Sequence, residues 1–119
     1  MDTFEILSQL CSAAGVSGAE GSAAEAAAKL LEKYGEVTLD NALGSVICKV
    51  GSWEDGKPVM LLDAHIDEIG MIVTYITEDG FLKISGCGGL DTRLLLAQQV
   101  TVYGREKLTG IVTSTPPHL

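Results

Sequence analysis

The stretch PVMLLDAHIDEIGMIVTYI, residues 58–76, decides how the chain is read. Its first half, Val59 to Leu62, is apolar at every position, the pattern of a short strand covered on both faces within a central sheet. His65 interrupts the run. From Ile69 to Ile76 the residues are strongly β-prone, and a turn follows at Glu78, Asp79 and Gly80. The stretch therefore predicts two strands divided at His65. A buried strand ending in a histidine puts that side chain at the carboxyl end of a sheet, where open α/β sheets carry their ligand sites.

Toward the N-terminus, Asp2 with Glu5 three residues later predicts a capping box. It opens a helix with apolar Phe4, Ile6, Leu7, Leu10, Cys11 and Ala14, ended by Gly15. The turn VSGAEG, residues 16–21, leads to a second helix. That helix is signalled by Ser22 and Glu25, buries Ala26, Ala27, Leu30, Leu31 and Tyr34 on one side, and stops at Gly35. The period then shortens: VTLD (37–40) and SVICKV (45–50) read as strands around a turn at Asn41 to Gly44, and GSWEDGK (51–57) is a polar turn. Toward the C-terminus come FLKIS (81–85), the loop GCGGLD (86–91), QQVTVYG (98–104), a charged REK turn and LTGIV (108–112). Short strands between glycines are the grammar of a β-barrel or sandwich. The shift from helices and α/β-like strands to an all-β segment just after residue 65 suggests a domain boundary. STPPHL, residues 114–119, reads as a weak ending that is not expected to close the β segment. The core is expected from the helix faces, Val59 to Leu62, and Ile72, Val73 and Ile76.

Of the 119 residues 46% are hydrophobic and 20% charged, which suits one compact domain with a core rather than a disordered chain. Sixteen acidic residues against eight basic leave a net charge of −8, which repels nucleic acid and anionic membrane surfaces alike. The opening MDTFEILSQL has neither the basic stretch nor the cleavage site of a secretory signal, and no segment is apolar for long enough to span a bilayer. A cytoplasmic location is expected. Cys11, Cys48 and Cys87 are odd in number and far apart, so they read as reduced, mostly buried small hydrophobes rather than a disulfide framework or a zinc site.

His65 is the leading candidate for chemistry. Asp67 and Asp63 each lie two residues away, on the same side of an extended backbone. A carboxylate there can accept from the imidazole nitrogen that a metal does not use. Spacing alone leaves the plainer reading open, a satisfied histidine at a strand end beside solvated acids, because a zinc site needs three or four ligands. GCGGLD lacks the lysine and hydroxyl residue of a phosphate loop and reads as a turn. Asp91 and Arg93 read as a structural ion pair. His118, after two prolines, is a poor second ligand. Ser17, Ser22 and Ser85 have no companion histidine at a recognisable spacing, which leaves a serine hydrolase unsupported.

The run from Leu61 to Gly104, with its AHIDEIG core, resembles the M42 family of metallo-aminopeptidases, the glutamyl and deblocking aminopeptidase group. The SGAE turn, LDNALGSVI and GIVTSTPPHL extend the likeness over essentially the whole chain. The resemblance implies an α/β fold. Residues 1–66 would be the N-terminal part of the α/β catalytic domain, and residues 67–119 the first part of a β-barrel-like inserted domain used for dimer contacts, with Glu68, Ile69 and Gly70 leading between them. It also implies hydrolysis of N-terminal residues from peptides by two divalent ions, zinc or cobalt, in a homo-oligomer. His65 would be a ligand of one metal. Asp67 would be the catalytic-site carboxylate that orients it. The bridging aspartate, the other ligands and the general-base glutamate of such enzymes have no counterpart here, so the chain corresponds to about the first third of a member and is expected to be inactive alone. The alternatives are a non-catalytic self-association module pairing through exposed strand edges and, more remotely, an endoglucanase-like glycoside hydrolase, for which no carboxylate pair stands out.

Overall fold

The structure is a computed structural model that describes residues 2–114; Pro116, Pro117 and His118 lie outside the described residues. Helix α1 runs Thr3–Ser12 and begins with the expected capping box. The Asp2 carboxylate accepts from the Glu5 N–H at 2.8 Å, and the Glu5 carboxylate accepts from the Asp2 N–H at 3.1 Å. It ends three residues before Gly15 because the chain turns extended at Ala13. The Gly15 carbonyl then accepts a bond from Glu68 at 2.8 Å.

Helix α2 runs Gly21–Leu31. The box predicted from Ser22 and Glu25 does not form. The turn before it is closed by the Ala19 N–H donating to the Val16 carbonyl at 2.7 Å, and Glu20 takes the N-cap position without a side-chain cap bond. Ser22 therefore falls inside the first turn. The buried face consists of Ala23, Ala24, Ala28 and Leu30, so of the expected stripe only Leu30 is fully covered.

Three alanines in that face let α2 lie close on a hairpin of β1 (Glu36–Leu39) and β2 (Val46–Lys49), paired antiparallel from Glu36↔Lys49 to Leu39↔Val46. Its turn is held by the Asp40 carboxylate, which accepts from the N–H groups of Ala42 and Leu43, each at 3.1 Å. At Gly35 the chain passes so close to the Lys49 carbonyl that a Cβ would overlap it, which is why glycine ends the helical segment. Helix α1 packs on α2, leaving an apolar cleft lined by Ile6, Leu10, Ala27, Leu30, Leu31 and Tyr34.

The expected central strand is not there. Val59, Met60, Leu61 and Leu62 form no strand and are 63, 84, 85 and 87% exposed. An all-apolar strand is stable when strands bond to both its edges and other layers cover its faces. Among the described residues none does. The β-prone half behaves as read: β3 (Gly70–Ile76) pairs antiparallel with β4 (Leu82–Cys87), with a bulge between Val73 and Tyr75 and a turn at Gly80. A two-stranded hairpin covers neither of its own faces. Ile72, Val73 and Ile76, expected in the core, are accordingly exposed.

Internal contacts divide the chain into two compact units, residues 1–88 and 89–119. In the second, a short 3-10 turn (Thr92–Leu94) precedes the hairpin of β5 (Gln99–Tyr103) and β6 (Lys107–Ile111). Asp91 and Arg93 form the predicted ion pair, with bonds of 2.9 and 2.7 Å. The architecture is thus mixed helix and strand. The described strands make three separate two-stranded sheets, β1–β2, β3–β4 and β5–β6, so neither a central α/β sheet nor a closed barrel is present among them. The cysteines are free as expected but less covered: Cys11 is exposed, and Cys48 and Cys87 are half-buried. No helix among the described residues is long and apolar enough to cross a membrane.

Candidate functional site

The link that positions His65 is made by two segments far apart in sequence. Val16, in the turn between the helices, and Glu68 form an isolated parallel bridge. The Glu68 N–H donates to the Gly15 carbonyl at 2.8 Å, and the Gly15 N–H returns a bond to the Glu68 carboxylate at 3.3 Å. Gly70 admits the approach, since a Cβ there would overlap the Val16 methyl groups. The turn and the segment opening β3 are thereby held side by side.

His65 and Asp67 meet on this support. His65 Nδ1 lies 3.1 Å from Asp67 Oδ1 and 3.1 Å from the Asp67 carbonyl oxygen. Both oxygens accept, so Nδ1 carries the proton, and in the neutral ring Nε2 keeps its lone pair. Nε2 makes no hydrogen bond among the described residues, and the ring is largely exposed. The second oxygen of Asp67, Oδ2, accepts from the Ser17 hydroxyl. That bond is the main reason the Asp67 carboxyl titrates below the usual aspartate range, with His65 adding to the effect.

Of the residues singled out in the sequence, His65 and Asp67 are brought together. Asp63 is not; it makes no hydrogen bond or ion pair among the described residues. Ser17 and Glu68 were missed as parts of the site. Ser17 drew attention only as a nucleophile, and the order found, hydroxyl to carboxylate to imidazole, is wrong for one, because a nucleophilic serine needs the imidazole in the middle. The signal that could have found it is the SGAE turn, a glycine-containing turn inside a stretch of family likeness.

Chemically, the arrangement offers one oriented imidazole lone pair. No three histidine, cysteine, aspartate or glutamate side chains gather around a point among the described residues. The donor set is of the right kind for zinc or cobalt but short of the three protein ligands of a catalytic site. These residues alone do not hold a metal centre.

Residues 44–119 match the family model described as M42 glutamyl aminopeptidase. The chain belongs to this family. A putative aminopeptidase of Escherichia coli K12, FrvX, is 35% identical over 97% of this chain and 32% of its own length. The lysyl aminopeptidase of Pyrococcus furiosus is 28% identical over 100% of this chain and 34% of its own. Among solved structures, a TET aminopeptidase from a marine-sediment Thaumarchaeota archaeon superposes with a TM-score of 0.85 at 34% identity, covering 98% of this chain and 32% of that one. The Pyrococcus horikoshii TET1 peptidase, described as assembling into a tetrahedron or a large octahedral shell, gives 0.81 at 34% identity over 99% and 35%. The M42 chain thus spans about a third of the length of the relatives it matches.

Proposed function

We propose that this chain carries part of the active site of a metal-dependent aminopeptidase that removes N-terminal residues from peptides. His65 supplies one metal ligand through Nε2, and Asp67 orients it. The observation that carries the reading is the 3.1 Å contact from His65 Nδ1 to Asp67 Oδ1, which leaves the other ring nitrogen free on an exposed ring. The remaining ligands of a two-metal centre and its general base belong to residues outside these 119, so the chain alone does not turn over substrate. In this assignment residues 1–66 belong to the catalytic domain and residues 67–119 to the inserted β-rich domain. An acidic, cytoplasmic homo-oligomer is the setting, in keeping with the large assemblies described for the TET1 relative.

A second reading, self-association without catalysis, is favoured by the uncovered Val59 to Leu62 run and by three two-stranded sheets with open edges. One set of samples tests both. Zinc titration of the chain and of His65→Ala is expected to show weak binding that the substitution abolishes, with no hydrolysis of aminoacyl substrates by either. Binding indifferent to His65→Ala overturns the ligand assignment, and turnover by the chain overturns its incompleteness. Sedimentation of the same samples reads the second reading directly: a concentration-dependent oligomer without metal supports it, and a monomer throughout removes it.

A further inference from the structure

His65 and Asp67 lie on a segment without helix or strand, so the local backbone does not dictate where the Asp67 carboxylate points. We propose that Ser17 is a positioning residue for this site: its hydroxyl, donating to Asp67 Oδ2, aims Oδ1 at His65 Nδ1 and so adds to the Asp67 carbonyl oxygen in holding the proton there and leaving Nε2 free. The inference rests on the reading of His65 and Asp67 given above and extends it to the turn between the helices.

Three observations converge on it. First, a carboxylate is planar, so fixing Oδ2 on Ser17 and Oδ1 on Nδ1 defines its orientation from both ends. Second, Ser17 is itself anchored. Its neighbour Val16 bridges to Glu68, Gly15 exchanges two bonds with Glu68, and the Ala19 N–H closes the turn onto Val16. None of these bonds uses the Ser17 side chain, so removing the hydroxyl leaves the scaffold that carries it. Third, the hydroxyl has no competing duty: Glu20, not Ser17, occupies the N-cap position of α2, and Asp67 is the partner the Ser17 hydroxyl is bonded to. A hydroxyl on a hydrogen-bonded turn that bonds the outer oxygen of a histidine-orienting carboxylate extends the orienting chain by one member.

The test reads the imidazole tautomer by nitrogen-15 NMR of the 119-residue chain in a His118→Ala background. That leaves His65 as the sole histidine of the two. The measurement is made at about pH 9, well above the usual imidazole range, so that the ring is neutral. In the parent, the Nδ1 signal has the character of a protonated nitrogen and Nε2 that of a bare one. Ser17→Ala is expected to narrow the separation between the two signals as the tautomers mix. Ser17→Thr, which keeps a hydroxyl, restores the parent pattern, and Asp67→Ala shifts it at least as far as Ser17→Ala. The Glu68 amide signal stays in place in Ser17→Ala, showing the bridge intact. If Ser17→Ala leaves the tautomer unchanged while Asp67→Ala shifts it, Ser17 has no positioning role and the His65–Asp67 reading stands. If Ser17→Ala shifts it and Ser17→Thr fails to restore it, the effect is not the hydroxyl's, and the proposal is again overturned. If Asp67→Ala leaves it unchanged, the backbone carbonyl of residue 67 alone holds the Nδ1 proton, the carboxylate does not orient His65, and Ser17 falls with it.

Discussion

Leu30 and Leu62 are the same side chain in opposite circumstances, 8% exposed in α2 and 87% exposed in the 59–62 run. The difference lies in partners, not apolarity. Leu30 sits on a helix whose alanine face meets the β1–β2 hairpin on one side and α1 on another. Leu62 belongs to a more uniformly apolar segment with no strand at either edge among the described residues. Hydrophobicity says which residues gain by leaving water; neighbours within reach decide which of them do.

Truncating both leucines separates the two circumstances most strongly. Leu30→Ala is expected to destabilise the chain by roughly 2 kcal/mol or more, the lower part of the range for buried leucine because its alanine-rich surroundings can close in. Leu62→Ala is expected to change stability by about 0.5 kcal/mol or less, as at an exposed site. Urea midpoints of the two variants decide it: equal losses would mean that the 59–62 run finds cover in solution.

A smaller effect separates the helices. Helix α1 has no fully buried residue, so it leans more on its capping box than α2 does. Asp2→Ala is expected to cost about 1 kcal/mol, read as faster amide exchange at Ile6, whose N–H bonds the Asp2 carbonyl in the first turn. Unchanged exchange would show that the cleft contacts with α2 hold α1 without the cap.

The smallest effect belongs to the exposed Asp91–Arg93 pair, whose partners are both local. The Arg93 side chain first, and its backbone N–H second, hold the Asp91 carboxyl below its usual range. Because the folded value is depressed, the pair's contribution is present above the ordinary aspartate pKa of about 3.9. It is lost as pH falls through the lower folded value. Arg93→Ala is expected to move the Asp91 titration upward, though only part of the way, since the backbone bond survives; carboxylate NMR measures it. A titration that does not move would assign the whole depression to the backbone.

The same contrast explains what the sequence made legible. Features set by neighbours a few residues apart were readable: the Asp2–Glu5 box, the turn at Asn41 to Gly44, the β3–β4 hairpin, and the Asp91–Arg93 pair. The Ser22–Glu25 box misled because capping depends on where the preceding turn releases the chain, and that turn is fixed by contacts with Glu68. Val59 to Leu62 misled because the pattern of a covered strand reports a need for cover and not its supply. At the site, the two-residue spacing of His65 and Asp67 was visible, whereas Ser17 is 50 residues from Asp67 and has no local pattern to betray it.

The Gly15–Glu68 contact joins residues 53 apart, so the site exists only once a long loop has closed. Closing a flexible loop of that length costs about 3.5 kcal/mol of chain entropy plus a constant, against a handful of hydrogen bonds across the joint. The helices and hairpins, with their short-range contacts, can form before it. The orientation of His65 is therefore expected to come late in folding. A single cut in the exposed polar turn at residues 51–57 would leave every hairpin whole and only non-covalent contacts to hold the imidazole beside the serine that steadies its carboxylate.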